Sequence, residues 1–280
     1  MSGEPASSRA GSATAAAVGG GGGSVDWGAV YATDLVYVQD CHRLCGDAHC
    51  CSFARHKARF RMLGRKPFQE LPLLPGEYEH MAATGALAQF GDCERRRGEL
   101  ALDAARAVPY ESIVSHRAGC ACEHATRPTI CRLYPLFPVH DVAGRLLGVE
   151  PHFGVYEELE VLEGLPRACA VGSLPFEQLQ LFLSLCSRLA ASPLHLFCLH
   201  AYRATKRHAV AGLQRRLAAA PQSAFALFEW QMLKGRLVDR EALRAELTAL
   251  ADAFAAHYGD RFALPAPTLP APPAATGGAP

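Results

Sequence analysis

The sequence predicts a mainly α-helical fold, in which an irregular cysteine-rich half with a small β-hairpin packs on a C-terminal helical bundle. Two observations predict this fold. Before about Gly172 the chain carries clustered cysteines, prolines and short irregular segments, whereas after Gly172 apolar residues recur at helical spacing. Residues 1–24 are rich in Gly, Ala and Ser, and residues 264–280 in Pro and Ala. Such tails bury too little apolar surface to order themselves, so both are expected to be disordered.

Between the tails, residues 25–172 are expected to form a cysteine-cluster domain with little regular structure. Residues 76–90 are expected to form one short helix, and residues 144–153 a strand that is one arm of a hairpin. Most of the remainder is expected to be loop, and long loops inside a compact domain need something that ties them together. We expect a metal centre bound by the clustered cysteines to supply that tie.

Residues 173–263 are expected to form a bundle of three or four helices. The first begins near Ser173, the second follows a break at Ser192–Pro193, and the third covers Phe225 to Leu233. Asp239 caps the last helix, which ends at Gly259. The apolar faces of the first and last helices are interpreted as packed core. These faces hold Phe176, Leu179, Leu183, Cys186, Leu243, Leu247, Leu250 and Phe254.

Four cysteines fall within the stretch CHRLCGDAHCC, residues 41–51. Cys41 and Cys45 are about one helical turn apart, so their thiols face one side, and Cys50 and Cys51 arrive from the following loop. The N-terminal residues lack the features of a signal peptide, which predicts the cytoplasm, where thiols stay reduced. The odd total of 11 cysteines also cannot pair completely. The cluster therefore indicates metal ligands or catalytic thiols, and thiolates suit zinc and iron–sulfur clusters.

A second group of cysteines comprises Cys120, Cys122 and Cys131, with Cys169 following later in the chain. Cys131 stands inside the stretch RPTICRLYP, whose prolines stiffen the backbone around it. Four thiolates overcompensate the charge of a zinc ion or a typical 4Fe–4S core, so a nearby cation is expected. One of the two arginines of this stretch, at positions 127 and 132, could neutralise that thiolate charge.

Together, CHRLCGDAHCC and RPTICRLYPLFP resemble the YkgJ-type cysteine-cluster family, described as zinc- or iron-chelating proteins, whose cluster also occurs in flagellin lysine-N-methylase-like proteins. The resemblance covers roughly residues 35–170. The first cysteine gap is one residue longer here than in the family's common form, the spacing from Cys122 to Arg127 is one residue shorter, and the insert between Cys51 and Cys120 is larger. The resemblance implies as metal ligands Cys41, Cys45, Cys50, Cys51, Cys120, Cys122, Cys131 and Cys169.

These eight cysteines are expected to converge in space, and their number exceeds what one tetrahedral zinc or one cluster needs. Either two metal centres lie close together, or one centre uses four cysteines and the others surround it. Cys50 and Cys51 favour two centres, because neighbouring side chains of extended backbone point opposite ways. Cys93 is expected to be an exposed thiol, whereas Cys186 and Cys198 lie on apolar helical faces and are expected in the core.

Three hypotheses for the function follow. The first is an iron–sulfur protein whose centre is redox-active or structural, the second is a zinc-stabilised binding module, and the third is a methylase-like enzyme that modifies a protein or a small molecule. No catalytic residue is identified, so whether the chain is an enzyme stays open. A net charge of +1 favours neither nucleic acid nor membrane as a partner, which leaves an unidentified protein or small molecule. The basic run at residues 55–66 is interpreted as a solvated face, with an anionic partner as the alternative.

Overall fold

The computed structural model describes residues 25–37, 59–63, 69–116, 123–151, 155–165 and 174–268. Within these ranges the fold is mainly α-helical with a smaller antiparallel β component. The helices are α1 (Trp27–Tyr31), α2 (Glu77–Ala83), α3 (Thr129–Leu133), α4 (Val155–Leu162), α5 (Phe176–Ala190), α6 (Pro193–Ala219), α7 (Ala224–Leu233) and α8 (Arg240–Tyr258). The strands are β1 (Gln69–Leu73), β2 (Cys93–Ala101), β3 (Ala107–Ser115), β4 (Leu136–His140) and β5 (Leu146–Pro151).

The first three strands form an antiparallel sheet in the order β1-β3-β2, which the sequence did not predict. Strand β2 carries three consecutive arginines, so it lacks the apolar alternation that identifies a strand. Cross-strand ion pairs support it instead, since Arg95 and Arg97 both bind Glu111 on β3 and Glu79 on α2. Its register follows from these pairs and from the buried face of β3, so tertiary contacts decide this strand.

The stretch predicted as one helix over residues 76–90 is two elements. Helix α2 ends at Ala83, and a 3-10 turn runs over Ala86–Phe90. Gly85 separates them with a φ of 76°, a conformation that glycine adopts readily and that a continuing right-handed helix excludes. The predicted strand near residues 144–153 is confirmed as β5, which pairs with β4 through a turn closed by the Asp141 carboxylate and the Arg145 N–H at 2.9 Å.

The predicted C-terminal helices are confirmed. The break at Ser192–Pro193 separates α5 from α6, and the Asp239 carboxylate caps α8 by accepting from the Ala242 N–H at 3.1 Å. Leu243, Leu247 and Phe254 are buried along α8, and Cys186 and Cys198 are buried in α5 and α6, as predicted. The prediction that Phe176 is a core residue is wrong: it is 68% exposed, because the buried face of α5 consists of Phe182, Leu185, Cys186 and Leu189. No described helix alone has the length and hydropathy of a membrane span, although α5 and α6 together, with a bend of 110° between them, pass that test by length and composition.

The core connects the cysteine-rich half to the helices. One cluster joins Phe182 and Leu185 of α5 to Leu35 after α1 and to Leu133 of α3. Another joins Phe60, which follows the first cysteine cluster in sequence, to Phe225 and Phe228 of α7. Beyond α8, residues assigned to the C-terminal tail still make contacts: the Pro265 carbonyl accepts from the Ala107 N–H at 2.8 Å, and Thr268 binds the Glu99 carboxylate.

Candidate metal centre

Cys131 is the one predicted ligand that lies among the described residues. It occupies the middle of α3 and is half-buried, packed against the cluster that contains Met81, Phe90 and Ile113. Its thiol is close enough to the hydroxyl groups of Tyr31 and Tyr202 to interact with both electrostatically. The thiol therefore sits at the boundary between the sheet half and α6.

The other seven predicted ligands, Cys41, Cys45, Cys50, Cys51, Cys120, Cys122 and Cys169, lie outside the described residues, so their convergence stays a prediction. The part of the chain that the structure describes contains no group of three or more His, Cys, Asp or Glu side chains arranged to hold a metal ion. Cys93, expected to be exposed, is half-buried in β2, and burial raises the pKa of its thiol.

Arg132, next to Cys131, is 1% exposed and ties α3 to two stretches of backbone, at residue 33 and at residues 125–127. Its guanidinium donates to the carbonyls of Thr33 at 3.0 Å and Arg127 at 2.9 Å, and also to the carbonyl of Ala125. It also stacks on the Tyr31 ring, 4.6 Å from the ring centroid. Burial lowers the pKa of Arg132. Because the hydrogen bonds go to neutral carbonyls, a buried positive charge stands one residue from Cys131.

Glu77 is a second buried charged group at this site, and it fastens α1 to α3. Its carboxylate accepts from the Thr129 N–H at 2.6 Å, the Tyr31 hydroxyl at 2.9 Å and the Leu74 N–H at 2.9 Å. Burial raises the pKa of Glu77 despite these bonds. In the sequence Glu77 is an ordinary acid in the first turn of a helix, and no local signal marks its role. Its partners come from sites 46 and 52 residues away.

The chain just before the first cysteine cluster is held at three points. The Gln178 side chain of α5 accepts from the Val36 N–H at 2.6 Å, and Arg127 donates to the Leu35 carbonyl at 2.8 Å. The Tyr37 hydroxyl donates to the Leu133 carbonyl at 3.2 Å. Tyr37 is the last described residue before the first cluster, four residues before Cys41, and it therefore lies beside both α3 and the start of α5.

The chain after the first cluster is held by α4 and α7. Arg59 forms an ion pair of 2.9 Å with Glu163, just beyond the end of α4. The Glu229 carboxylate of α7 accepts three consecutive backbone N–H groups, from Arg61 at 3.0 Å, Met62 at 2.6 Å and Leu63 at 2.7 Å. This part of the predicted basic run is thus docked on the helices rather than simply solvated.

These contacts give two of the cysteine segments a common frame. Residues 38–58, which carry the first cluster, connect a point at the start of α5 to a point at the end of α4. Residues 166–173, which carry Cys169, connect the same two helix ends. The segment with Cys120 and Cys122 re-enters the described chain at Glu123, whose N–H donates to the Gln89 side chain at 2.7 Å. Gln89 neighbours Phe90, against whose cluster Cys131 packs.

A cleft of about 420 Å³ opens beside Tyr202, between α6 and the β4–β5 hairpin. The Tyr202 ring stacks on Phe137 at 5.8 Å between centroids. Two ion pairs line the cleft, Arg203 with Glu150 at 2.8 Å and Lys206 with Glu158 at 2.9 Å. Tyr202 thus lines the cleft, and burial, followed by the charge of the Cys131 thiolate, raises the pKa of its hydroxyl.

Comparison of this chain with protein-family models, with curated proteins and with solved structures finds no match.

Proposed function

We propose that this chain is a metal-binding protein of the YkgJ type, in which the eight cysteines supply the ligands of one or two iron–sulfur centres with a redox or structural role. The observation that carries the proposal is the common frame: the described ends of the cysteine segments are fastened by specific hydrogen bonds and ion pairs, and two of the fastening points, Leu133 and Gln89, adjoin Cys131 or the cluster that it packs against. Metal ligands that come from distant parts of a sequence must be held close together in the folded chain. Contacts that fix the ends of the irregular cysteine segments meet this requirement.

The lengths of chain that separate these fastened ends from the cysteines are short. Each trans peptide step spans about 3.8 Å between Cα atoms, so Cys41 lies within about 15 Å of Tyr37 and Cys122 within about 4 Å of Glu123. Cys169 is likewise four residues from Leu165. Because Tyr37 is bonded to Leu133 and Glu123 to Gln89, these lengths allow the segments with Cys41 and with Cys122 to reach the neighbourhood of Cys131.

The electrostatics near Cys131 also fit thiolate ligation. A centre ligated by four thiolates carries net negative charge, which a buried cation offsets. Arg132 provides that cation with its hydrogen bonds already satisfied, so it acts through its charge and through the backbone that it holds. The apolar cluster of Met81, Phe90 and Ile113 shields the same side from water. An iron–sulfur centre, when bound, would supply one-electron chemistry tuned by this shielding.

Anaerobic purification followed by metal and sulfide analysis tests the proposal. Iron with acid-labile sulfide and broad visible absorption is expected, and Cys131→Ala should lose most of it. Cys93→Ala, which removes a half-buried thiol outside the ligand set, is the matched control and should retain the centre. Zinc in a colourless protein would replace the iron–sulfur assignment with the zinc-stabilised module. Protein that binds neither metal would overturn the proposal.

The cleft beside Tyr202 favours a second candidate function, an enzyme of methylase-like type that uses the centre. Its volume of about 420 Å³ lies within the range of small-molecule pockets. The stacked pair of Tyr202 and Phe137 gives it an apolar floor, and the two ion pairs give it a polar rim. Calorimetric titration of the metal-loaded protein with S-adenosylmethionine, a methyl donor, tests this function. Binding that Val210→Trp abolishes by filling the cleft is expected; no binding removes the methylase assignment.

A further inference from the structure

We propose that the exposed face of α7, together with the docked residues 59–63, is a docking surface for an acidic segment of a partner protein that carries an apolar anchor. The surface consists of Met62, Trp230 and Leu233, with Arg61, Lys234 and Arg236 around them. It goes beyond metal binding, since none of these residues is a predicted ligand.

The first observation is that exposed apolar side chains gather here. Nine large hydrophobic residues are exposed in the described part of the chain, and four of them are Met62, Trp230, Met232 and Leu233. Trp230 is 51% exposed and Leu233 is 46% exposed, and residues three apart lie on one side of a helix. Met62 is 58% exposed, and its N–H binds Glu229, the residue that precedes Trp230. Scattered exposed hydrophobics are ordinary, whereas a local gathering of them marks an interaction site.

The second observation is that residues 59–63 are fixed to α7. Phe60 and Leu63 are 5% and 3% exposed, and the Phe60 ring meets Phe225 at 5.4 Å and Phe228 at 6.2 Å between centroids. The packing of Phe60 and Leu63 fixes the register, because a slip by one residue would withdraw both side chains from the apolar cluster on α7. The three N–H bonds to Glu229 hold the backbone of this segment on the helix. Arg61 and Met62 are therefore exposed on a segment whose position along α7 is fixed.

The third observation is the sign of the charge. Of the nearby carboxylates, Glu163 is paired with Arg59, Glu229 is buried beneath three N–H groups, and Asp239 caps α8 by accepting from the N–H of Ala242. Among the described residues no ion pair joins Lys234 or Arg236 to a carboxylate. The exposed cations of this surface are Arg61, Lys234 and Arg236, and of the three carboxylates only Asp239 is exposed. The surface is therefore basic around an apolar centre.

This composition favours a protein partner over the other polyanions. Trp, Met and Arg are the side chains enriched at protein–protein contacts, and Trp and Arg dominate their binding energy. Nucleic acid would require several stacking aromatics, and Trp230 is the only exposed aromatic ring of this surface. The apolar patch on the ten-residue helix α7 matches one or two anchoring side chains, with acidic neighbours that meet the surrounding cations.

Fluorescence anisotropy on the full chain tests the proposal, with a fluorescein-labelled peptide that carries Leu-Phe between two short glutamate runs. The peptide should bind, and Trp230→Ala and Arg61→Ala should each weaken binding about tenfold, as expected for central interface residues. The matched controls are Phe176→Ala, an equally exposed apolar residue on α5, and Arg215→Ala, an exposed cation on α6; both should leave binding unchanged. Replacing Leu-Phe by Gly-Gly in the peptide should abolish most of the affinity.

Three outcomes would overturn the proposal. The first is the absence of peptide binding. The second is equal weakening by the control variants, which would indicate charge attraction without a defined surface. The third is that phosphatidylserine vesicles or a single-stranded oligonucleotide bind in a Trp230-dependent manner while the peptide does not. Because Trp230 and Arg61 are exposed, circular dichroism should show the variants folded, so each outcome reports on the surface itself.

Discussion

Replacing Arg132 by lysine tests the structural role assigned to this residue, because lysine keeps the positive charge and removes the fork of donors. The guanidinium serves carbonyl oxygens of three residues, Thr33, Ala125 and Arg127. A lysine ammonium is a compact group at the end of a flexible chain, and it can donate well to one of the three carbonyl oxygens. The substitution therefore leaves about two buried carbonyls without partners. Each orphaned buried acceptor costs about 1–3 kcal/mol.

The expected loss of unfolding free energy for Arg132→Lys is therefore about 2–6 kcal/mol, a large fraction of the total stability of an ordinary domain. Urea unfolding of metal-free protein measures it, in a Trp230→Phe background so that fluorescence reports on Trp27, which packs with Tyr31 and His195 in the same region. The midpoint should fall at an unchanged slope.

Arg145→Lys is the matched control for this experiment. The Arg145 side chain is 80% exposed and pairs with Asp141 at the hairpin turn, so its replacement should change stability by less than about 0.5 kcal/mol. If Arg132→Lys were as stable as the control, the carbonyl bonds of Arg132 would not hold the segments together, and the common frame around Cys131 would lose its main fastener.

Four further predictions concern pH, the Glu229 contact, metal and the tails. Burial lowers the pKa of His195 below its ordinary value of 6.5, so on acidification the unfolded chain takes up the proton before the folded chain does. The free energy of unfolding should therefore fall as the pH drops below about 6.5, and His195→Gln should make it depend less steeply on pH in acid-unfolding curves. Glu229→Gln should speed hydrogen exchange at residues 61–63 at least about tenfold, because the NH₂ group of the glutamine replaces one carboxylate oxygen that accepts from these N–H groups. The control Glu241→Gln, at an exposed position, should leave this exchange unchanged. Burial raises the pKa of Glu229, but its three N–H bonds outweigh burial and bring this pKa below the usual range of a glutamate. The protection of residues 61–63 should therefore be complete at pH values above the pKa of Glu229 in the unfolded chain, and it should be lost as the pH falls through the lower pKa of Glu229 in the folded chain. Chelation should direct limited proteolysis to the stretch between Cys51 and Cys169 before the C-terminal helices, and equal resistance with and without metal would exclude a structural metal. A chain of residues 25–268 should keep the metal stoichiometry of the full chain, and metal loss would show that the tails contribute.

Local signals were sufficient wherever an element depends on its own residues. The helices α5 to α8 follow from apolar spacing together with Pro193, Asp239 and Gly259, all of which act within a turn of their own position. Strand β5 could be found in the same way. Strand β2 could not, because its arginines are paired by Glu111 and Glu79 from other elements, and neither acid signals a strand at residues 93–101.

The helical C-terminal half, the core positions of Cys186 and Cys198, and the cysteine spacing that motivates the metal hypothesis can all be recognised in the sequence. The roles of Arg132, Glu77 and Glu229 are visible only in the folded chain, because most of their partners are backbone groups, several of them from remote segments. Glu229 meets N–H groups 166 to 168 residues away. A backbone N–H or carbonyl is the same at every position of a sequence, so no pattern of residue types can indicate which one a buried side chain will bind.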